Sequence, residues 1–382
     1  MLKSTLQHAL GFLLLYTSNA FSIPKPTGPF AVGIKSYTFK HLTLNDTFSP
    51  NRTGTELLLD IYHPTHEHAR LQRYVPQELA GLYESYFNVS TGAFGNTTAY
   101  IAHNAPFVSK RNFSKLPTLV FSPPLTGPTT QMFNYLLSNL ASDGYTIITI
   151  DHPYEQPYVQ FPDGRGIYSG LPVDVEPSIA DDVEVHKYRI AEILAVLDAL
   201  PSIAKNVHAS LNTSHFLLFG HSIGGSAALN TAAKLRKSSK YHIVGAMNLD
   251  GTIFNATGTE EYPVGLDEDI LTPSLFLKSS AFPPFQDWID FEAKQSEWCK
   301  ELVINGTVHT DFSDLVLWKT WNGLRTPDQI KGERMVEIVR ALVGAFVDKV
   351  AKRAGDGVLV GDEEDRKVLP EVEWAFNQTG SG

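Results

Sequence analysis

The chain has 382 residues, of which 43% are hydrophobic and 19% charged, a composition typical of a globular protein with a large apolar core. Its formal net charge is −10 and it has no cluster of lysine and arginine, so nucleic acid is not predicted as a partner. Cys299 is the single cysteine, so no intramolecular disulfide can form and the core must stabilise the fold.

The N-terminus has the pattern of a secretory signal peptide. Lys3 supplies the positive charge, residues 9–16 form a short apolar stretch, and Ser18-Asn19-Ala20 resembles a cleavage site. That stretch is too short to span a bilayer; a signal anchor is the alternative. Nine Asn-X-Ser/Thr sequons support export, at Asn45, Asn51, Asn88, Asn96, Asn112, Asn212, Asn255, Asn305 and Asn377. We therefore expect a secreted, extracellular glycoprotein that has lost residues 1–20.

Apolar β-rich runs alternate with helical patterns along most of the chain, which predicts an α/β fold with a mainly parallel sheet flanked by helices. The predicted strands are residues 34–39, 56–62, 118–122, 146–150, 216–219, 243–249, 274–277 and 302–304. Two stretches, about 64–115 and 156–177, are rich in Tyr, Phe, Pro and Gly and are too long for ordinary connections. We expect one catalytic domain over residues 21–382, with these two stretches as lid-like insertions.

Three helices are predicted from apolar residues at helical spacing. The first runs over 132–140 and is ended by Gly144. The second, over 190–200, follows two acidic residues and is expected to end at Pro201. The third covers 329–350.

Apolar and aromatic residues in the first insertion allow two interpretations. They could form an amphipathic lid that contacts lipid, or they could be ordinary packing residues. The residues are Tyr74, Leu79, Leu82, Tyr83, Tyr86 and Phe87.

A Gly-X-Ser-X-Gly motif centred on Ser222 is the most specific local signal. It follows the apolar strand 216–219 and precedes the helical pattern 226–235. In such an elbow, Gly220 and Gly224 allow strand and helix to approach closely, and the serine hydroxyl is exposed above the sheet edge. Ser222 is therefore the predicted nucleophile.

An oxyanion hole needs backbone N–H donors near that serine. In the loop after the strand 118–122, Pro123 and Pro124 have no N–H, so Leu125 and Thr126 offer the first donors. We expect the N–H of Leu125 to act together with that of Ile223, while a purely structural turn is the alternative.

The general base must follow the serine in the order that hydrolases of this type share. Only His242 and His309 follow Ser222. His242 opens a predicted strand and is interpreted as structural, whereas His309 lies in a glycine-containing loop after the strand 302–304. His309 is the predicted base.

Two positions can supply the acid. Asp250 directly follows the strand after the nucleophile helix, at the carboxyl edge where open α/β sheets bind ligands. Asp287 and Asp290, after the next strand, are the alternatives. Position in the sequence favours Asp250 without excluding the other two.

At these residues the chain resembles the plasma-type platelet-activating-factor acetylhydrolases, including fungal-looking relatives. The similarity runs from about residue 27 to 376, with shorter matches at 119–122, 140–145 and 150–155. The segments that carry it are Gly220-His-Ser-Ile-Gly-Gly225, Met247-Asn-Leu-Asp250 and Asn305-Gly-Thr-Val-His309-Thr-Asp-Phe-Ser-Asp314.

The resemblance implies an α/β-hydrolase fold, the triad acid at Asp250, and oxyanion donors at Leu125 and Ile223. It also implies calcium-independent release of a short or oxidised acyl group from position 2 of a glycerophospholipid. A serine, histidine and aspartate mechanism needs no cofactor or metal, so none is expected. The chain departs from the family at Pro123-Pro124, where a His-Gly pair is common, and this bears on acyl-chain preference.

The residues alone indicate only hydrolysis of an ester, lipid ester or amide. A broader secreted carboxylesterase or lipase, a binding protein without activity and a serine peptidase are the alternatives.

Overall fold

The computed structural model describes residues 21–108, 115–175, 178–253 and 266–380. The signal-peptide prediction and the sequons at Asn112 and Asn255 lie outside these residues. In chain order the strands and helices are β1 (Ala31–Leu44), β2 (Thr53–Thr65), β3 (Arg70–Arg73), α1 (Gln77–Tyr86), β4 (Thr98–His103), β5 (Thr118–Ser122), α2 (Asn134–Ser142), β6 (Thr146–Asp151), β7 (Tyr158–Gln160), β8 (Gly166–Tyr168), α3 (Ile179–Asn206), β9 (His215–His221), α4 (Ile223–Leu235), β10 (His242–Leu249), β11 (Ser274–Ser279), α5 (Gln286–Glu292), β12 (Cys299–Ile304), α6 (Leu315–Trp321), α7 (Gly332–Val350), α8 (Glu363–Val368) and β13 (Val372–Gln378).

Eleven strands of the described residues form one sheet, in the order β13-β12-β11-β10-β9-β5-β6-β2-β1-β4-β3. The six strands from β12 to β6 are parallel to one another. β13 at one end, and β2 beside β6 towards the other end, run antiparallel to their neighbours. All eight predicted strands are present, and the prediction of a mainly parallel sheet is confirmed.

The core lies on both faces of this sheet. Leu217 and Phe219 of β9 belong to the cluster that includes α2, α6 and α7, whereas Phe216 and Leu218 belong to the cluster that includes α3 and α4. Alternate side chains of a strand point to opposite faces, so a strand covered on both sides must be apolar at every position. Burial of each such side chain stabilises the fold by about 1.5–3 kcal/mol.

The prediction that the second helix ends at Pro201 is wrong. Helix α3 contains Pro201 and continues to Asn206. Proline inside a helix removes one hydrogen bond and costs about 3 kcal/mol. Leu200 and Ile203 are buried on either side of it, and their packing offsets that loss.

The first insertion is largely part of the fold, because β4 pairs with β1 and β3 pairs with β4. Tyr74, Leu79 and Tyr83 are buried, and both tyrosine rings meet Trp318 edge-on at 5.7 and 6.2 Å. These residues are packing residues, whereas Tyr86 is 47% exposed. In the second insertion, β7 and β8 form a two-stranded sheet. No helix in the described ranges combines the length and apolar character needed to span a bilayer.

Candidate active site

The turn from β9 to α4 has the geometry of the predicted elbow. Ser222 has φ 56° and ψ −131°, a strained conformation at the junction of strand and helix, and α4 begins directly afterwards at Ile223. A Cβ on Gly224 would lie 2.2 Å from the Ser122 carbonyl oxygen, and one on Gly220 would lie 2.4 Å from the Gly224 carbonyl carbon. Only glycine fits at either position, which is why the motif has a glycine two residues before the serine and another two residues after it.

Asp250 and His309 form a hydrogen-bonded pair. The distance from His309 Nδ1 to Asp250 Oδ2 is 2.8 Å. A carboxylate only accepts hydrogen bonds, so this contact places the imidazole proton on Nδ1 and leaves the Nε2 lone pair available. The Asp250 side chain is fully buried, whereas that of His309 is 32% exposed. The pair therefore joins a fixed buried carboxylate to an imidazole that reaches solvent.

Ser279, at the end of β11, fixes the orientation of the Asp250 carboxylate. Its backbone N–H donates to Asp250 Oδ1 at 2.6 Å, and its hydroxyl donates to Oδ2 at 2.8 Å. Asp250 itself has φ 55°, a left-handed conformation that aspartate tolerates better than most residues. Sequence reasoning missed Ser279, because its place beside Asp250 follows only from the pairing of β10 with β11.

The structure separates Asp250 from the alternatives. Asp287 accepts a hydrogen bond from the Ile253 N–H, and Asp290 accepts one from Gln286 at 2.7 Å. His242 begins β10, so it lies at the strand end opposite to Asp250, and it stacks on a neighbouring histidine at 4.8 Å. Of the candidate carboxylates, Asp250 is the one hydrogen-bonded to His309.

His221 supports the segment that carries His309. Its Nε2 donates to the His309 carbonyl oxygen at 2.8 Å, and the two rings lie 4.5 Å apart. Burial lowers the pKa of His221 well below the usual histidine range, with the nearby His309 as a further cause, so this imidazole is neutral. Phe282 meets the His309 ring edge-on at 5.7 Å. His221 was visible in the sequence as the residue before the nucleophile, but its role was not predicted.

Ser222, His309, Leu125 and Ile223 line one open cleft with a cavity volume of about 590 Å³. Within the part of the chain that the structure describes, the N–H groups of Leu125 and Ile223 have no hydrogen-bond acceptor. The Ile223 N–H is at the N-terminus of α4, where free N–H groups and the helix dipole favour negative charge. The predicted oxyanion donors therefore border the same cleft as the predicted nucleophile and base.

A buried ion pair holds the loop that carries Leu125. Arg189 of α3 donates to the carbonyl oxygens of Pro123 and Pro124, the latter at 3.2 Å, and its Nε donates to Glu155 at 2.9 Å. Both charged side chains are almost completely buried. A buried charge needs such pairing, so this contact couples the loop to the core. In the sequence, the one indication of this contact was that Arg189 directly precedes the apolar positions of a predicted helix.

His152 belongs to the same buried network and does not reach the cleft. Its Nδ1 lies 2.6 Å from Glu192, and its Nε2 lies 3.3 Å from the Ser122 hydroxyl. Burial lowers the pKa of His152 to about 3 and raises that of Glu192 to about 7. His152 is therefore neutral, and its role in this network is structural. Cys299 is also buried, and burial raises the pKa of its thiol, which makes the thiolate nucleophile unavailable.

Similarity to known proteins agrees with this geometry. A family model described as platelet-activating factor acetylhydrolase, isoform II, matches residues 15–157 and 194–349. The chain is 31% identical over 143 residues to a probable 1-alkyl-2-acetylglycerophosphocholine esterase of Arthroderma benhamiae. That match covers 36% of this chain and 32% of the relative, so the chain spans about a third of the relative's length.

A ferulic acid esterase from Streptomyces cinnamoneus has a similar structure. The TM-score is 0.73 with 22% sequence identity, and the similarity covers 94% of this chain and 100% of the esterase. At this identity the likeness concerns the fold alone. Together with the mainly parallel sheet, it confirms the predicted α/β-hydrolase fold.

Proposed function

Because the chain belongs to the platelet-activating factor acetylhydrolase, isoform II, family, we propose that it cleaves the short or oxidised acyl ester at position 2 of glycerophospholipids. Family membership makes the chain a carboxylic ester hydrolase that acts on lipid esters, as the resemblance predicted. The finer substrate class is supported by the A. benhamiae relative, whose name specifies a 2-acetyl glycerophosphocholine. The observation that best supports the proposal is the hydrogen bond between Asp250 and His309, because His309 lines the same cleft as Ser222.

In the proposed mechanism, Ser222 attacks the ester carbonyl and His309 Nε2 accepts the serine proton. Asp250 holds the imidazole in the tautomer that this transfer needs and stabilises the imidazolium. The N–H groups of Leu125 and Ile223 stabilise the oxyanion. His309 then gives its proton to the leaving alcohol, and water hydrolyses the acyl-enzyme by the same route in reverse. Every step uses protein groups, so we propose that calcium is not required.

The test is hydrolysis of 2-acyl glycerophosphocholines with chains from acetyl to palmitoyl, with calcium chelated. We expect wild type to cleave short chains and Ser222→Ala to lower kcat about 10⁶-fold, because loss of a nucleophile disables the whole triad. Ser239→Ala, at an exposed position, is the matched control and should behave as wild type. Cleavage of long chains at equal rates would refute the short-chain preference.

A general carboxylesterase is the second candidate. The observation that favours it is Pro123-Pro124 directly before Leu125, where the family often has His-Gly, because this exchange bears on acyl-chain preference. Turnover of nitrophenyl esters by wild type, without cleavage of any phospholipid, would establish this second function in place of the first.

We also propose that the chain is exported and glycosylated. Of the seven sequon asparagines in the described residues, six are exposed. They are Asn45, Asn51, Asn88, Asn96, Asn305 and Asn377. Expression in a eukaryotic secretory host should yield protein in the medium whose mass falls after removal of N-glycans and whose first residue is Phe21. Retention in the cell without glycans would refute export.

A further inference from the structure

A small pocket of about 80 Å³ lies beside the catalytic cleft and shares three lining residues with it. The shared residues are Asp174, Thr310 and Lys319, and the remaining wall includes Tyr83, Tyr86 and Phe87. Thr310 directly follows the proposed base, so a group held in this pocket lies next to the reaction centre. The pocket can therefore hold another part of a molecule whose ester reaches the nucleophile.

The side chain of Lys319 is only 14% exposed and brings a positive charge to the wall between the two cavities. Its Nζ donates to Thr310 Oγ1 at 2.6 Å and lies 3.5 Å from Asp311 Oδ1. Asp311 already accepts two hydrogen bonds from Arg325, at 2.8 and 3.1 Å. Two cations thus share one carboxylate, and Asp174 is the next negative charge near Lys319. Burial lowers the pKa of Lys319, so an anion would restore part of the lost solvation.

Tyr83 adds an unused donor to the same pocket. Its side chain is 1% exposed, and its hydroxyl has no hydrogen-bond partner among the described residues. Buried hydroxyl groups in native proteins nearly always have a partner. A ligand oxygen in the pocket that Tyr83 lines would provide one, which is a second observation that indicates a ligand here.

Asp174 places a negative charge at the same pocket. Its Oδ2 accepts a hydrogen bond from the Tyr86 hydroxyl at 3.0 Å, and the rings of Tyr86 and Phe87 meet edge-on at 4.8 Å. Aromatic faces next to a carboxylate are favourable surroundings for a quaternary ammonium group. The pocket therefore presents an anion-binding side and a cation-binding side.

We propose that this pocket binds the zwitterionic phosphocholine group of the substrate, with Lys319 and Tyr83 on the phosphate and Asp174 on the ammonium. The rings of Tyr86 and Phe87 would contact the ammonium methyl groups. This proposal rests on the proposed function and adds the residues that select the head group. It predicts that phosphate and ammonium are recognised separately, so that each can be tested alone.

The experiment compares Lys319→Met and Asp174→Asn with wild type on three acetyl esters. Two are 2-acetyl glycerophospholipids, one with phosphocholine and one with phosphoglycerol, which has no cation; the third is nitrophenyl acetate. For each variant, KM on a phospholipid is divided by KM on nitrophenyl acetate, which removes any effect of a displaced His309. Lys237→Met, an exposed lysine beyond the end of α4, is the matched control and should leave both ratios unchanged.

Lys319→Met should raise the ratio about tenfold or more for both phospholipids, because it removes a charge-assisted hydrogen bond to their shared phosphate. Asp174→Asn should raise it about three- to fivefold for phosphocholine alone, as expected for loss of a partly exposed cation contact. Unchanged ratios in both variants would overturn the proposal.

A binding assay separates this proposal from the proposed function. Glycerophosphocholine, which has no carboxylic ester, should inhibit nitrophenyl acetate hydrolysis competitively in wild type and about tenfold more weakly in Lys319→Met. If wild type cleaves no phospholipid but is inhibited in this way, the assignment of the head-group pocket is supported and the substrate proposal is refuted. If wild type cleaves phospholipids but is not inhibited, the pocket assignment fails.

Discussion

Two halves of the catalytic site are held in place by different means. Ser222 and Asp250 follow adjacent strands, and their backbone N–H groups donate to the carbonyl oxygens at the ends of neighbouring strands, at 2.8 and 2.7 Å. His309 and Leu125 lie outside the sheet strands. Side chains of other elements hold the His309 carbonyl and the carbonyl of Pro124, the residue before Leu125. The strand-held half is positioned by the sheet itself, whereas the loop-held half depends on residues far away in the chain.

The difference has a consequence for substitutions. In the strand-held half, a change of catalytic side chain should remove activity and leave the fold intact, since the sheet does not need that side chain. In the loop-held half, the supporting groups are the buried polar side chains of His221 and of Arg189, which is paired with Glu155, so a substitution should reduce stability and activity together. The predictions below test this contrast, starting with the largest effect.

After Ser222→Ala, the largest effect is expected for Asp250→Asn. The new amide would place an N–H group opposite His309 Nδ1–H or the Ser279 donors, so the imidazole would adopt the wrong tautomer. We expect kcat on nitrophenyl acetate to fall about 10⁴-fold while the unfolding midpoint stays near that of wild type. Asp287→Asn is the matched control and should keep kcat close to wild type. Equal losses in the two variants would contradict the assignment of the acid.

Arg189→Met should affect both stability and rate. It leaves Glu155 buried without its partner and removes the donors to the Pro123 and Pro124 carbonyls. Denaturant unfolding should show a loss of about 3–5 kcal/mol, accompanied by a lower kcat at temperatures where the variant is folded.

Arg165→Met is the control for Arg189→Met, because Arg165 forms exposed ion pairs and should change neither quantity measurably. A stable Arg189→Met variant with full kcat would show that the loop holds its position without the buried pair.

The last prediction concerns the pH dependence of stability at Asp314. This carboxylate anchors the segment after His309 by accepting from the Tyr135 N–H at 3.1 Å and from Tyr74 Oη at 2.7 Å. Burial raises its pKa from the usual 3.8 of an aspartate to about 7. Between these values the folded state holds a proton that the unfolded state has lost, so its contribution to stability is greatest at low pH and declines as pH rises towards 7.

The measurement is the free energy of unfolding of wild type minus that of Asp314→Asn at several pH values. The difference should fall by about 1.4 kcal/mol per pH unit between about pH 4 and 7 and then level off. Asp290→Asn is the matched control for Asp314→Asn, because it removes a carboxylate that is exposed. Parallel curves for wild type and Asp314→Asn would mean that this carboxylate is ionised throughout.

The strand-held half could be predicted from sequence because its signals are local. A continuous apolar strand followed by Gly-X-Ser-X-Gly places Ser222, and the end of the next apolar strand places Asp250. The carbonyl contact between Arg189 and Pro123 joins residues 66 apart in sequence, and no local pattern encodes it. Ser279 was missed for the same reason, since its role follows only from the pairing of β10 with β11.

The fold shows the same limit. Central strands were found because burial on both faces makes them apolar throughout, whereas the edge strands β3 and β13 carry polar residues and have no such signal. The end of the second helix was predicted wrongly because the rule that proline ends a helix considers only local structure. Burial of the residues on both sides of Pro201 outweighs this rule, and the sequence does not reveal that burial.

The closely packed glycines of the elbow bear on how this enzyme can change over evolutionary time. A Cβ on Gly251 would lie 2.0 Å from the Ser222 carbonyl oxygen, so this position is closed to side chains, as are Gly220 and Gly224. Neutral drift cannot act at these three positions. At the rim of the cleft, Phe282 is exposed, and in the adjoining pocket Tyr86 is exposed, so neither position is closed to other side chains in this way. New substrates can therefore be acquired at the rim while the backbone around the nucleophile is inherited unchanged.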